Sequence, residues 1–222
     1  ATLLSRSLQN AQKLFGYDGI TTVFDPTLEA EACGCKIKWG DTEELPVVIS
    51  HPLGEGVGIE DLDISEIEKK GRIPVALETA KRISILKGKE IALLGIVTGP
   101  VTLATFLRGD NFIPELENPS EKTMEFIELA QKVNLKLCDA YCKQGVDAVV
   151  IAEKSLGELR PDLINTMIAP VLETIWRVAR YYNAYTIILT RDCSERHIEP
   201  IFQLQTDGVV ISGNIDQATI RD

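Results

Sequence analysis

No stretch of this 222-residue sequence stays apolar for the roughly 20 residues that a membrane-spanning helix needs. The longest apolar runs, Ile91 to Val97 and Val146 to Ala152, fall far short of it. Basic residues are scarce: 23 Lys and Arg stand against 33 Asp and Glu, a formal charge of −10. The clustered cationic surface that a phosphate backbone demands is therefore missing, and nucleic acid is not an expected partner. Five cysteines (Cys33, Cys35, Cys138, Cys142, Cys193) are too few and too irregularly spaced for a secreted disulfide framework, and no charged-then-apolar leader opens the chain, so a reducing cytoplasm is expected. There is no Gly-x-Gly-x-x-Gly turn and no Walker-type Gly-Lys-Ser/Thr, which argues against dinucleotide and nucleoside triphosphate chemistry.

What is present is a chain 45% hydrophobic and 25% charged, enough for one substantial core and read as a single domain over residues 1–222. It opens on Ala1 already inside a helical pattern and stops at Asp222 as another begins, so both ends are expected to be cut. Apolar residues recur at helical spacing from Leu3 to Phe15, from Ile64 to Lys70, from Val75 to Leu86, from Val101 to Leu107, from Glu121 to Lys143, from Pro161 to Tyr181 and from Ile198 to Leu204. A further helix is favoured from Pro26 to Ala32, with Asp25 before its proline as a cap. Between them lie five strand-like runs: Ile20 to Phe24, Ile91 to Val97, Val146 to Ala152, Thr186 to Leu189 and Gly208 to Ser212. Continuous apolar runs fit strands buried on both faces, and no hairpin signal separates them, so the pattern predicts a parallel α/β protein. Periodicity does not separate a doubly wound sheet from a barrel, but in both, function gathers at the carboxyl ends of the strands.

Those ends are Asp25-Pro26, Thr98-Gly99-Pro100, Glu153-Lys154, Arg191-Asp192-Cys193 and Gly213-Asn214-Ile215-Asp216. Asp25 reads as a helix cap or as a carboxylate facing the mouth, and the two are compatible. Gly99 and Pro100 offer a helix start where a ligand anion could meet backbone N–H groups, or simply a tight turn. Glu153 is an acid/base candidate or half of an ion pair with Lys154. Cys193 and His197, four apart, could hold one metal, although two ligands do not make a site. Cys138 and Cys142, one turn apart, read as packing, and Cys33-Gly34-Cys35 is no stronger a signal. His51, in Ser50-His51-Pro52, reads as a loop residue that a place near a mouth would make a ligand. Trp39, Trp176 and Phe202 fit core or helix-packing positions.

The segment from Phe15-Gly16-Tyr17-Asp18-Gly19 to Ala30-Glu31-Ala32-Cys33-Gly34-Cys35 resembles the uroporphyrinogen decarboxylase superfamily and, within it, the corrinoid methyltransferase branch. The phrases Gly99-Pro100-Val101-Thr102-Leu103-Ala104, Gly145 to Glu153, Gly157-Glu158-Leu159 before Pro161, and Ala169-Pro170 continue the resemblance in order along the chain. It implies a parallel (β/α)8 TIM-type barrel, here incomplete, lacking the first strand and the last two. If these residues were the whole polypeptide, its open sheet edges would favour a homodimer. It also implies a methyltransferase that moves a methyl group between a corrinoid protein and a small acceptor, a thiol such as coenzyme M or tetrahydrofolate. The methyl-cobalamin would ride on a separate protein, since the Asp-x-His-x-x-Gly motif of cobalamin carriers does not occur. Two alternatives remain: a tetrapyrrole decarboxylase and a non-catalytic binding member.

By resemblance, Asp25 corresponds to the decarboxylase aspartate, and Gly99, Pro100 and Phe106 belong to the substrate site. Phe106 stands where decarboxylases have a tyrosine, and their arginine-rich segment is missing. The methyltransferase branch holds zinc through a His-x-Cys pair and a later cysteine. Cys193 falls where the first cysteine belongs, but Arg191 replaces the histidine, so a zinc site would need His197 instead.

Overall fold

The computed structural model describes residues 1–41, 44–88, 90–211 and 215. The chain starts with α1 (Thr2–Phe15), then β1 (Gly19–Thr21) and the short α2 (Leu28–Ala32). A small antiparallel hairpin follows, β2 (Ile37–Lys38) with β3 (Val47–Val48), before α3 (Ile73–Lys87). From there helices and strands alternate: β4 (Ala92–Thr98), α4 (Pro100–Arg108), α5 (Phe112–Glu117) and α6 (Glu121–Lys143). The rest comprises β5 (Ala148–Glu153), α7 (Pro161–Leu163), α8 (Ala169–Tyr181), β6 (Tyr185–Thr190), α9 (Ile198–Gln203) and β7 (Gly208–Val210).

Local chemistry explains most of these boundaries. Proline stands in the first turn of α3, α4 and α7, where its missing N–H has no intrahelical acceptor to lose. Ser120 and Thr123 form a reciprocal capping box that starts α6. The single helix expected from Pro161 to Tyr181 is broken by a π-helical stretch at Ile164–Ile168. Pro170 gives the reason: its ring crowds the carbonyl four residues back, and a widened turn relieves it.

The five strands β1, β4, β5, β6 and β7 pair in that order, all parallel. Each new strand joins the same edge, with no reversal among the described residues. A doubly wound sheet reverses at its switch point, whereas a barrel does not, so the winding is that of a barrel segment. Thr186, Ile188 and Thr190 of β6 are buried while Ile187 and Leu189, on its other face, are half-buried. Trp176, Phe112, Phe126, Ile83 and Leu103 fill the core between helices and sheet. At the amino ends of the strands, Asp147 accepts the Leu93 N–H at 2.7 Å and Asp207 accepts the Thr186 N–H at 2.7 Å, tying each strand to its neighbour. That end is structural.

Several expectations change. The hairpin β2–β3 carries no turn signal, and its contacts span an eight-residue connection that local patterning does not reveal. The segment Ile64 to Lys70 forms no α-helix but a 3-10 turn at Ile67–Lys69, and the loop around Asn111 contains α5. The first strand stops at Thr21, so Asp25 lies four residues beyond it. Trp39 and Phe202 are 59% and 52% exposed rather than core, while Trp176 is 1% exposed. Of the fifth strand end, Gly213, Asn214 and Asp216 lie outside the described residues.

Candidate active site

At the carboxyl ends of the strands is a cavity of about 780 Å³. Its wall is drawn from successive connections: Thr27 after β1, Thr102 and Phe106 on α4, Lys154 after β5, Arg191 after β6, with Val47 of the hairpin and His51 closing the side. Of the residues singled out in the sequence, Phe106 and His51 are in the wall. Asp25, Gly99, Pro100, Glu153, Cys193 and His197 are not in the wall: Asp25 adjoins Pro26 and Glu153 adjoins Lys154, while His197 lies six residues beyond Arg191.

Glu153 ends β5 with its side chain fully enclosed. One carboxylate oxygen accepts the Val101 N–H at 2.9 Å and the other the Thr102 N–H at 2.7 Å, with the Thr102 hydroxyl bonded to it as well. These are N–H groups of the first turn of α4, unpaired within a helix and carrying its positive end. The position where a ligand anion was expected is thus filled by the protein's own carboxylate. Gly99 permits this approach, because a Cβ there would lie 2.3 Å from Glu153 Oε2. Two candidate sites in the sequence are therefore partners of each other.

A second buried carboxylate, which the sequence reading missed, mirrors the first. Glu29 on α2 accepts the Thr98 N–H at 2.9 Å and the Thr98 hydroxyl at 2.7 Å, tying α2 to the end of β4. The Thr98 carbonyl in turn accepts from Asn134 Nδ2 of α6 at 2.7 Å. Burial pushes both Glu29 and Glu153 up to about 7, against hydrogen bonds that pull the other way. The sequence offers two glutamates in this short helix, Glu29 and Glu31, and nothing in it tells which one is enclosed.

Asp25 is likewise committed. One oxygen accepts the Thr27 N–H at 2.9 Å and the Thr27 hydroxyl at 2.7 Å, closing the turn into α2. The other forms an ion pair with Arg72, whose Nε reaches Glu31 at 2.6 Å while its guanidinium lies 4.4 Å from the centre of the Trp39 ring. The capping role and the ion pair use both oxygens.

Cys193 and His197 do not fit a zinc centre. The Ser194 N–H donates to His197 Nδ1 at 3.1 Å, so that nitrogen is an acceptor, and Nε2 carries the hydrogen that reaches the Leu159 carbonyl at 3.0 Å. The ring is 1% exposed and serves as half of a capping box leading into α9. Cys193 Sγ faces the Arg191 carbonyl at 3.6 Å, and burial pushes its thiol up, away from the thiolate a metal requires. Among the described residues no three His, Cys, Asp or Glu side chains gather as a metal-binding group.

Around the cavity the cations are better placed than the metal donors. The register pairs Glu153 with Thr190, so Lys154 and Arg191 leave neighbouring strands at the same level. Both are exposed and line the cavity. Lys154 has no carboxylate partner among the described residues, and Arg191 has only its chain neighbour Asp192 at 3.5 Å. Asp110 and Glu158 also line the cavity.

A parallel barrel-type sheet with a cavity at its carboxyl ends is the class of molecule this geometry defines. The chain belongs to the uroporphyrinogen decarboxylase (URO-D) family, whose model matches residues 6–221. It is 30% identical over 140 residues to the methylcobamide:CoM methyltransferase MtbA of Methanosarcina acetivorans, covering 63% of this chain and 41% of that protein. MtbA of Methanosarcina mazei is 28% identical over 155 residues, covering 69% of this chain and 45% of the relative. A methylated-thiol–coenzyme M methyltransferase of the same organism is 29% identical over 117 residues, 52% of this chain and 31% of that one. The chain thus spans less than half the length of these curated relatives. A solved methyltransferase structure from Methanosarcina mazei shares the fold, with a TM-score of 0.80 at 23% identity over 94% of this chain and 61% of that one. None of the described helices is long and apolar enough to cross a membrane.

Proposed function

We propose that this chain is part of a methyltransferase that moves a methyl group between a corrinoid protein and a small anionic thiol of the coenzyme M type. The observation that carries this reading is the cavity at the strand ends, with Lys154 and Arg191 side by side in its wall. Two cations at one level suit a sulfonate or carboxylate, Arg191 by its planar fork and Lys154 as a point charge. The relatives' names support both the corrinoid donor and the thiol acceptor. The methylated corrinoid is a co-substrate brought by a partner protein to the open mouth.

Decarboxylation is the weaker reading, since Phe106 presents no hydroxyl to the cavity where decarboxylases have a tyrosine. A binding member without turnover is favoured by one observation: Arg191 stands where a zinc-binding histidine is expected, and His197 is fully engaged elsewhere. The full-length protein, a methylated corrinoid protein and coenzyme M distinguish these readings. Loss of the methyl-corrinoid absorbance with formation of the methyl thioether is the expected result. Coenzyme M binding without any change in that absorbance would establish the binding member instead.

A further inference from the structure

The described residues assemble no metal-binding group, and the proposed reaction has to remove the acceptor's S–H proton, because the thiolate and not the thiol is the nucleophile. Among the described cavity residues one side chain is arranged for it. His51 follows the hairpin, and its backbone is fixed at both polar groups by Glu55: its N–H donates to Glu55 Oε1 at 3.0 Å and its carbonyl accepts the Glu55 N–H at 2.8 Å. Its ring Nδ1 lies 2.7 Å from the Phe106 carbonyl. That carbonyl is in the last turn of α4, which ends at Arg108 and leaves its final carbonyls to outside donors. The neighbouring Leu107 carbonyl is taken the same way, by the Leu53 N–H at 3.0 Å.

A carbonyl can only accept, so Nδ1 must carry the hydrogen, and in the neutral ring Nε2 is left with a lone pair. Nε2 has no protein partner among the described residues, and the ring forms part of the cavity wall. Gly109 leaves room for the ring, since a Cβ there would lie 3.2 Å from its Cγ. Anchored through one nitrogen and open at the other, the imidazole has the form of a base oriented by a second group. His197, by contrast, has both nitrogens bonded and nothing to offer.

We infer that His51 Nε2 accepts the thiol proton of the methyl acceptor, taking over the activation that a zinc ion would otherwise supply; this rests on the function proposed above. In the step, the S–H bond breaks and its proton passes to Nε2. The sulfur pair forms the bond to the methyl carbon, and the cobalt–carbon bond breaks with its electron pair remaining on cobalt. A thioether, a Co(I) corrinoid and an imidazolium result, and the imidazolium returns its proton to water at the open mouth. The other ionisable groups around the ring are Glu55 on its own loop, Cys35, whose Sγ lies 3.6 Å from the same Phe106 carbonyl, Asp110 after α4, and Lys154, Glu158 and Arg191 across the cavity.

The test uses the full-length protein with coenzyme M and free methylcobalamin as probes. His51→Asn keeps an N–H near the Nδ1 position for the Phe106 carbonyl but removes the base. Its kcat/KM should fall about 10²–10⁴-fold at neutral pH, with the deficit shrinking as rising pH ionises the thiol in solution. A variant within twofold of the parent across the pH range overturns the inference while leaving methyl transfer intact. If the variant does not fold, coenzyme M binding to the parent protein decides: the ultraviolet thiolate band should appear without proton release to buffer. A full proton released, or no thiolate band, overturns it. A parent protein that transfers no methyl group overturns this inference together with the function it rests on.

Discussion

Glu153 and Lys154 are neighbours in the chain, yet one turn of backbone separates two environments. The carboxylate has no exposed surface and is bonded to two N–H groups and a hydroxyl of α4, while the ammonium next to it faces the cavity with no carboxylate partner among the described residues. The same contrast recurs around the mouth: Asp25 is committed to Arg72 and Thr27 while Thr27 itself lines the cavity, and Cys193 is buried while Arg191 is open. Strand side chains alternate between faces, so Glu153, the last paired residue of β5, and Lys154 after it point to different places, whereas the other two pairs lie in the connections beyond β1 and β6. The floor holds the barrel ends together, and the rim is left for ligands. Carboxylates at strand ends are not by themselves acid/base catalysts.

Several measurements would break or sharpen this contrast. Glu153→Ala should show the largest effect, about 3–5 kcal/mol in urea unfolding, because it opens a cavity and strands the first N–H groups of α4. An effect under about 1 kcal/mol would mean that water replaces the carboxylate and that the floor is not a structural unit. The pH dependence comes next. Burial raises Glu29 and Glu153 from 4.5 to about 7, so the folded state binds protons that the unfolded chain has already lost. Their contribution to stability is full below about 4.5 and lost as pH rises to about 7, by up to roughly 3 kcal/mol per group. Unfolding midpoints should fall over that window and level off above it, and Glu153→Gln should flatten part of the slope.

Gly99→Ala should cost about 1–3 kcal/mol by forcing Glu153 off the α4 turn. A variant as stable as the parent would show that the carboxylate can withdraw without loss. The smallest stability change, within about 0.5 kcal/mol, is expected for Lys154→Met and Arg191→Met, as for most exposed positions. Each should nevertheless weaken coenzyme M binding by calorimetry about tenfold, the equivalent of one charge-assisted contact. Loss of stability without loss of binding would place these two side chains in the floor rather than the rim.

Much of the fold was legible in the sequence. Apolar runs too short for helices, separated by amphipathic segments, were enough for a parallel α/β chain, and a cavity does lie at the carboxyl ends of its strands. The hairpin β2–β3 was not legible, because two-residue strands joined by a long connection leave no periodicity. Of the candidate site residues, Phe106 and His51 line the cavity, whereas Asp25, Gly99, Pro100, Glu153, Cys193 and His197 do not. Gly99-Pro100 and Glu153 looked like two separate binding features, and nothing in one dimension announces that residues 54 positions apart will neutralise each other across β4 and β5.

Local preference and hydrophobic period depend on near neighbours, and near neighbours are what a sequence displays, so element type, order and the parallel class were settled there. Which carboxylate is enclosed, which histidine keeps a free nitrogen and which cations meet at the rim depend on how the strands register and how helix ends meet loops. His51 and His197 are the clearest case: in the sequence the first reads as a loop histidine and the second as a candidate metal ligand beside Cys193. The orphan carbonyls of α4 claim one nitrogen of His51 and leave the other open, whereas the turn before α9 and the Leu159 carbonyl consume both of His197. Tertiary structure made that difference by deciding where the unpaired groups of each helix end would find a partner.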